Sequence, residues 1–167
     1  NPFDAATLIR EKGYRAVARP IGKSDEMVIA SAANSDISCL EDIQAGATIA
    51  MADNRDVKLI GLRLLEAVDL EEADLSWDIT ETYQAAARKV IKGESQAAFF
   101  LAEIFHSFSR LTKTQLSVLI ESDLADISHV LLIKEGFPDT QIFIEAILNL
   151  HNDDDGKEAL NELGMPE

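Results

Sequence analysis

The chain has 167 residues, of which 47% are hydrophobic and 27% are charged, so it is long enough for one substantial core or two small lobes. Its 15 basic and 30 acidic residues give a formal net charge of -15, which disfavours binding to nucleic acid or anionic lipid. The single cysteine, Cys39, excludes an intramolecular disulfide, and no cysteine and histidine cluster has the spacing of a zinc site. No apolar run approaches the ~20 residues that span a bilayer, and the first residues lack a signal-peptide pattern.

Strand-like and helix-like patterns alternate in the first half, which predicts an α/β architecture with mainly parallel strands. A short helix opens the chain, and strands follow at 14–20 and 27–33. A small capped helix is predicted around 38–43, and an apolar strand at 47–52 runs through polar residues into a helix over 57–68. A strand ending at a helix N-terminus is a typical anion-binding arrangement, because unpaired N–H groups point outward and the helix dipole favours negative charge.

The second half continues the alternation. A short strand at 76–80 precedes a helix over 83–92, which Thr82 can cap and Gly93 can end. The remaining predicted elements are a strand at 96–101, a helix containing Ile104, Phe105 and Phe108, strands at 117–120 and 129–134, a helix with Pro138 in its first turn, and a last helix over 157–163.

The order of these segments resembles a known family. The resemblance is carried by the motifs NPFDAA, YRAVARP, SCLEDIQAGATIAMAD, TYQAAARKVIKGESQAAFF and ILNLHNDDDGKEALNELGM. The chain is similar to the substrate-binding proteins of phosphate and phosphonate ABC transporters, which have the type 2 periplasmic binding fold, but it lacks the family's first segment. The resemblance implies two lobes with mainly parallel sheets flanked by helices. An incomplete lobe 1 would comprise 1–14 and 121–167, and lobe 2 would comprise 15–120.

The resemblance also implies a ligand held between strand ends and helix N-termini, in a cleft that closes because the ligand contacts both lobes. The first candidate ligand-binding residues are Asp53, Asn54 and Arg55, which follow the strand at 47–52. A Ser-Thr-Ser-Gly run usual in the family is missing here, and only the acidic residue that ends the strand is retained. Arg55 could replace the hydroxyls with a charge-assisted fork, although the neighbouring Asp56 would repel a dianion.

The other candidates are Thr82 and Tyr83, near the position of a family histidine, and Phe3, at the family's lobe 1 edge of the cleft. Gln96 stands where the family often carries an aspartate. Each candidate also has a simpler structural interpretation. These are helix capping for Asp53 and Asn54, a solvated helix face for Arg55, and packing for Tyr83 and Phe3.

Two other patterns favour neither a metal nor catalysis. The loop 151–156 with Glu162 resembles a calcium-binding loop, but His151 takes the first ligand position and Glu158 the usual apolar one, so a break between helices is the better interpretation. No histidine has a serine or cysteine nucleophile arranged beside it. We therefore expect no metal, no cofactor and no enzymatic activity.

The sequence predicts an extracytoplasmic or periplasmic solute-binding protein of an ABC transporter, which binds a small, phosphate-like or phosphonate-like or other anionic ligand by hinge closure. Its expected partners are that ligand and an ABC permease, with membrane anchoring of the full-length protein left open. The alternative is a ligand-sensing domain of a signal-transduction protein with the same fold, and a truncated interaction module is a third class.

Two further expectations follow from what the chain lacks. Loss of the hydroxyl run predicts weak binding of simple alkylphosphonates, because a site loses affinity when its hydrogen-bond donors are missing. Without the family's first segment, apolar residues such as Ile142, Phe143 and Ile147 would be partly uncovered. Exposed apolar patches of this kind favour association, so we expect self-association through the terminal elements.

Overall fold

The computed structural model describes residues 2–21, 26–123 and 128–165. The helices are α1 (Pro2–Lys12), α2 (Arg55–Leu65), α3 (Tyr83–Ile91), α4 (Ala102–Ser107), α5 (Arg110–Thr114), α6 (Thr140–Leu148) and α7 (Asp154–Glu162). The strands are β1 (Tyr14–Ala18), β2 (Met27–Ala32), β3 (Thr48–Ala52), β4 (Ser76–Thr80), β5 (Ala97–Leu101), β6 (Leu116–Glu121) and β7 (Leu131–Lys134). The chain divides into unit 1, which comprises Asn1–Asp25 and Leu124–Glu167, and unit 2, which comprises Glu26–Asp123.

Unit 2 is built on one sheet with the strand order β4, β3, β5, β2, β6. Strand β3 is parallel to both β4 and β5, whereas β2 is antiparallel to its neighbours β5 and β6. Four of these five strands therefore run in one direction, which confirms the predicted α/β architecture with a mainly parallel sheet. Helices α2 and α3 form the crossovers between the parallel strands β3, β4 and β5, as parallel pairing requires.

The core of unit 2 lies on both faces of this sheet. Every residue of β2 and the first four residues of β5 are buried, a pattern typical of strands covered on both sides. Successive side chains of a strand point to opposite faces, so Phe99 and Phe100 lie in the cores on opposite faces of the sheet. Phe100 packs against Phe105 and Phe108 at ring-centroid distances of 5.6 and 5.5 Å. On the other face, Gly61 of α2 lies so close to Phe99 that an added Cβ would be 2.2 Å from the ring.

Unit 1 consists of α1, the antiparallel pair β1 and β7, and the helices α6 and α7. The prediction that Pro138 lies in the first turn of a helix was wrong, because α6 begins at Thr140. Asp139 precedes it with a φ of 52°, a left-handed conformation that a right-handed helix does not contain. Asp153 caps α7 by accepting a hydrogen bond from the Gly156 N–H at 2.9 Å, so the acidic loop is a helix start.

The helices of unit 2 differ from the prediction in three places. The predicted helix containing Ile104, Phe105 and Phe108 ends at Ser107, so Phe108 lies outside it as the C-cap. The helix predicted over 57–68 begins at Arg55 and continues after Leu65 as a 3-10 turn. Helix α5 was not predicted, because five residues are too few to show a periodic pattern. Its start is nevertheless marked in the sequence by Ser109, whose hydroxyl accepts a hydrogen bond from the Thr112 N–H at 3.1 Å.

The assignment of 1–14 and 121–167 to one lobe and 15–120 to the other stays a prediction. Unit 1 and unit 2 are the compact bodies of this chain, and each is described by itself below.

Candidate functional site

The carboxyl ends of three parallel strands meet at one edge of the sheet of unit 2. Ala52 at the end of β3 is paired with Thr80 at the end of β4, and β5 ends nearby at Leu101. Helices α2 and α3 begin just after β3 and β4, so both helix N-termini lie at this edge. In open α/β sheets this edge is where ligands bind. We call the residues 53–55 and 82–83 at this edge the strand-end site.

Asn54 connects the two halves of the strand-end site. Its side-chain oxygen caps α2 by accepting hydrogen bonds from the N–H groups of Asp56 and Val57 at 3.0 and 3.1 Å. Its side-chain N–H donates to the hydroxyl of Tyr83 at 3.1 Å. The structure therefore brings the two predicted segments into direct contact, although they are 29 positions apart in the sequence.

Tyr83 is half-buried in the first turn of α3 and packs its ring against Phe100, with 6.5 Å between centroids. Burial raises the pKa of its phenol, and the negative charge of Asp56 acts in the same direction, while the hydrogen bond from Asn54 opposes them. Tyr83 consequently stays neutral at physiological pH. Its hydroxyl is a hydrogen-bonding group rather than a charge.

The two threonines beside Tyr83 fix the start of α3. Thr82 is the N-cap, and its hydroxyl accepts a hydrogen bond from the Ala85 N–H at 3.1 Å. The Thr80 hydroxyl lies 3.1 Å from the carbonyl of Met51 and 3.0 Å from that of Thr82, so it connects β3, β4 and the helix start. Sequence analysis missed Thr80, although a Thr-x-Thr pattern where a strand meets a helix was a signal for it.

The charged residues of the strand-end site are exposed. Asp53 and Arg55 both face solvent, whereas the neighbouring Asp56 is buried at the start of α2. Within residues 26–123, Arg55 has no carboxylate at ion-pair distance. Lys58 differs, because its ammonium group pairs with Glu72 at 2.5 Å and lies over the ring of Trp77. Arg55 is therefore the cation that this segment leaves available.

Gln96, which aligns with a family aspartate, does not add to the site. Gln96 precedes β5, at the amino end of the strand and hence at the opposite edge of the sheet, where its side-chain oxygen accepts a hydrogen bond from the Thr48 N–H at 2.7 Å. The side chain of Phe3 lies outside the residues that the structure describes. The candidate role of Phe3 stays a prediction.

Cys39 belongs to a turn that precedes β3. The carboxylate of Asp42 accepts hydrogen bonds from the Ser38 and Cys39 N–H groups, which lowers its pKa to about 2. Hydrogen bonds to Glu41 and Asp42 raise the pKa of the Cys39 thiol, so it is protonated at neutral pH. A protonated thiol in a capping turn is a weak nucleophile.

Unit 1 contains an apolar pocket of about 380 Å³. It is lined by 18–21, 129–131, residues of α6 and α7, and the segments that follow these helices. Its polar edges include His129 and His151. Among the residues that the structure describes, no group of three or more His, Cys, Asp or Glu side chains could hold a metal ion. No helix in the described ranges is both long enough and apolar enough to cross a membrane.

Comparison with known families gives a match that extends over residues 1–167. The matching family is described as the periplasmic substrate-binding proteins of phosphonate ABC transporters. It is a family of transport solute-binding proteins rather than of enzymes. No curated protein sequence matches the chain.

Solved structures with a similar fold include a binding protein component of a phosphonate ABC transporter from Pseudomonas aeruginosa. It has a TM-score of 0.70 and 15% identity, over 98% of this chain and 59% of that one. The periplasmic aliphatic sulphonate binding protein of Escherichia coli gives a TM-score of 0.69 and 19% identity, over 94% and 54% of the two chains. A protein from Prochlorococcus marinus in complex with methylphosphonate gives a TM-score of 0.69 and 12% identity, over 98% of this chain and 68% of that one.

These neighbours have the type 2 periplasmic binding fold, and the likeness confirms that fold for this chain. At identities of 12 to 19% the likeness concerns the fold alone. The chain spans between about half and two thirds of the length of these structures.

Proposed function

We propose that this chain, which belongs to the family of periplasmic substrate-binding proteins of phosphonate ABC transporters, binds a small anion at its strand-end site and delivers it to a transporter. The observation that carries the proposal is the hydrogen bond between Asn54 and Tyr83. It joins two helix N-termini at the carboxyl edge of one sheet. Helix N-termini favour anions, because their first N–H groups and their dipoles both present positive charge.

Unused hydrogen-bond donors at this edge support the proposal. The backbone N–H groups of Tyr83 and Gln84, the first two of α3, meet no acceptor among the described residues. Arg55 is exposed in the first turn of α2, where a cation is unfavourable for the helix dipole. A bound anion would compensate that unfavourable position and could accept a bidentate pair of hydrogen bonds from the guanidinium.

The charges of the strand-end site favour a singly charged ligand. Arg55 is flanked in the sequence by Asp53 and Asp56, and the pKa of Tyr83 is raised mainly by burial and to a smaller extent by the negative charge of Asp56. Both carboxylates would repel a dianion, whereas their repulsion of a monoanion would be weaker. The hydroxyl run of the family is also missing. We therefore expect alkylsulfonates to bind more tightly than dianionic alkylphosphonates.

We propose that binding closes a hinge at the two places where the chain leaves unit 2. Glu26 and Ser122 lie side by side there, since the Ser122 hydroxyl is hydrogen-bonded to the Glu26 carboxylate and accepts the Met27 N–H at 2.9 Å. Two adjacent crossing points form a natural hinge, because only a few backbone angles must change. The ligand would drive closure through its higher affinity for the closed state.

The transport role includes an extracytoplasmic location and an ABC permease as the partner. The family match favours this role over a sensory domain of the same fold. The matching family consists of substrate-binding proteins, which also favours reversible capture of a ligand over catalysis.

Thermal unfolding in the presence of methanesulfonate, sulfate, phosphate and methylphosphonate tests the proposed function. A true ligand at 100 times its dissociation constant should stabilise the chain by about 2.7 kcal/mol. The stabilisation should decrease in Asn54→Ser and Tyr83→Phe and persist in Arg63→Ala, which changes an exposed residue of α2. If no small anion stabilises the chain, or if the strand-end variants respond like the wild type, the proposal is wrong.

A further inference from the structure

Unit 2 carries a concave surface whose lining does not include the residues of the strand-end site. It is a groove of about 490 Å³ between α3 and the segment that contains α4 and α5. Buried Ala87 and Phe108 contribute apolar surface to it, and Arg88, Lys92 and Leu111 line it. We call it the α3–α5 groove. We propose that it binds a short acidic segment of a partner protein, which places an apolar side chain beside Leu111.

Leu111 is the strongest sign that the α3–α5 groove is a contact surface. With 70% of its surface exposed, it is the most exposed large apolar side chain of the described residues. Isolated exposed leucines are common, but this one borders a groove whose floor is also apolar. Burial of Leu111 by a partner would remove that apolar surface from water, which is the main source of affinity at such contacts.

Local structure holds the start of α5, the helix that carries Leu111. Ser109 caps α5 through the Thr112 N–H, and the two hydroxyls lie 2.9 Å apart. The residue before this cap, Phe108, is buried against Phe100 with 5.5 Å between ring centroids. A contact surface held in place before binding loses little conformational entropy when a partner docks.

The charge around the α3–α5 groove identifies the chemistry of the partner. Residues 83–115 contain five basic and two acidic residues, whereas the remaining sequence contains 10 basic and 28 acidic residues. Two of these basic residues are already paired, since Lys89 and Lys92 lie 3.8 and 3.9 Å from the carboxylate of Glu94. Arg88 and Arg110 form no ion pair with any residue that the structure describes, so Arg88 is the unpaired cation that lines the groove. Lys113 donates only to the backbone carbonyl of His106, at 2.9 Å. A basic patch on an acidic protein is complementary to an acidic segment.

A short protein segment fits this patch better than a membrane does. A bilayer with anionic lipids is an extended surface and would meet the repulsion of a chain with net charge -15. A short segment contacts only the groove, and charges farther away than the Debye length of about 10 Å are screened at ordinary salt concentrations.

The test selects peptides from a displayed library of random short sequences on the wild-type chain. We expect enrichment of peptides in which Asp and Glu surround Leu, Ile or Phe. The dissociation constant of one enriched, fluorescently labelled peptide is then measured by anisotropy. Leu111→Ser and Arg88→Glu should each weaken binding by about tenfold or more, and rising salt should weaken it further.

Matched control variants distinguish binding in this groove from non-specific binding to exposed apolar or basic residues elsewhere. Ile142→Ser removes a side chain of unit 1 that is 67% exposed, and Arg63→Glu reverses a charge on α2. Both should leave peptide affinity within about twofold of the wild type. Arg88→Gln provides a milder variant if charge reversal disturbs folding, and circular dichroism melts identify any variant that fails to fold.

Four results would overturn the proposal. Enriched peptides without acidic residues would contradict the proposed chemistry of the partner. Equal peptide affinity for wild type, Leu111→Ser and Arg88→Gln would show that the peptide does not bind in the groove. Retention of the chain on phosphatidylglycerol vesicles that depends on Arg88 would indicate a membrane instead. Concentration-dependent association that Leu111→Ser abolishes would indicate a second copy of this chain.

Discussion

Unit 2 and unit 1 differ in how far their apolar side chains are buried. All buried apolar side chains of the described residues belong to unit 2, apart from Ala5 and Ile133. Unit 1 instead contains most of the exposed large apolar residues, which are Ile9, Ile21, Leu131, Phe137, Ile142, Leu148 and Leu163. Since burial of apolar surface is the dominant stabilising contribution to folding, unit 2 should supply most of the stability of this chain.

The difference has a functional meaning. A strand-end site must hold its side chains within fractions of an ångström, so it benefits from a well-packed support. The strand-end site lies on such a support, because Tyr83 packs on Phe100 and Asn54 caps a helix that packs against Phe99. Unit 1 offers an apolar pocket and open apolar surface, which we expect to favour self-association.

Paired Phe→Ala substitutions should give the largest contrast between the units. Phe100→Ala removes a fully buried ring and should cost about 3–5 kcal/mol of unfolding free energy. Phe137→Ala removes a ring that is 45% exposed and should cost less than about 1 kcal/mol. Urea unfolding followed by circular dichroism, and by fluorescence of the single Trp77 in unit 2, measures both. Similar losses from the two substitutions would contradict the contrast.

Gly61→Ala tests how tightly α2 packs on the sheet. The new Cβ would lie 2.2 Å from the Phe99 ring, which is itself fully buried. We expect a loss of about 1–3 kcal/mol, measured as a lower urea midpoint with an unchanged slope. Arg63→Ala on the same helix is the control and should change stability by less than about 0.5 kcal/mol. A neutral Gly61→Ala would mean that this contact is looser than the structure indicates.

Two substitutions of Asn54 separate its capping role from its bond to Tyr83. Asn54→Ala loses both, whereas Asn54→Ser keeps a cap but is too short to reach Tyr83. Asn54→Ser should cost about 0.5–1.5 kcal/mol, and Asn54→Ala about 1 kcal/mol more. Tyr83→Phe should cost about as much as Asn54→Ser, and the double variant should cost less than their sum. Additive effects in chemical unfolding would mean that the two side chains do not interact.

The ionisation of Tyr83 should give the smallest effect, without a change of fold. Its pKa is raised by burial first, so in the folded chain it should ionise above the ordinary tyrosine value of about 10. Because the raised pKa favours the protonated form, the associated stability is complete below the unfolded pKa and decreases as pH rises through the folded one. Absorbance titration of a Tyr14→Phe variant isolates Tyr83. Ionisation at or below the ordinary tyrosine pKa would contradict the buried environment.

Local patterns predicted much of the fold. The strand at 76–80 was predicted with its observed bounds, because apolar and polar residues alternate between turn signals. The position of β2, antiparallel between β5 and β6, could not be predicted, since strand order depends on long-range packing. Helix α5 was missed because it is too short for a periodic pattern.

The candidate site was predictable as segments but not as contacts. Polar residues after β3 and β4 marked the helix N-termini, and Asn54 was predicted as a cap. Its bond to Tyr83 depends on the parallel register of Ala52 with Thr80, which no local pattern encodes. Burial of Asp56 could not be predicted either, because a carboxylate in a first turn is usually a solvated partner of the dipole.

Calorimetric titration with methanesulfonate tests most directly whether the strand-end site binds a small anion. The account predicts saturable binding by the wild type, a loss of affinity of about tenfold or more in Arg55→Ala, and no change in Arg63→Ala. The first substitution removes the available cation of the site, and the second removes an exposed arginine elsewhere on α2. Equal affinity of wild type and Arg55→Ala, or tighter binding of methylphosphonate than of methanesulfonate, would contradict the account.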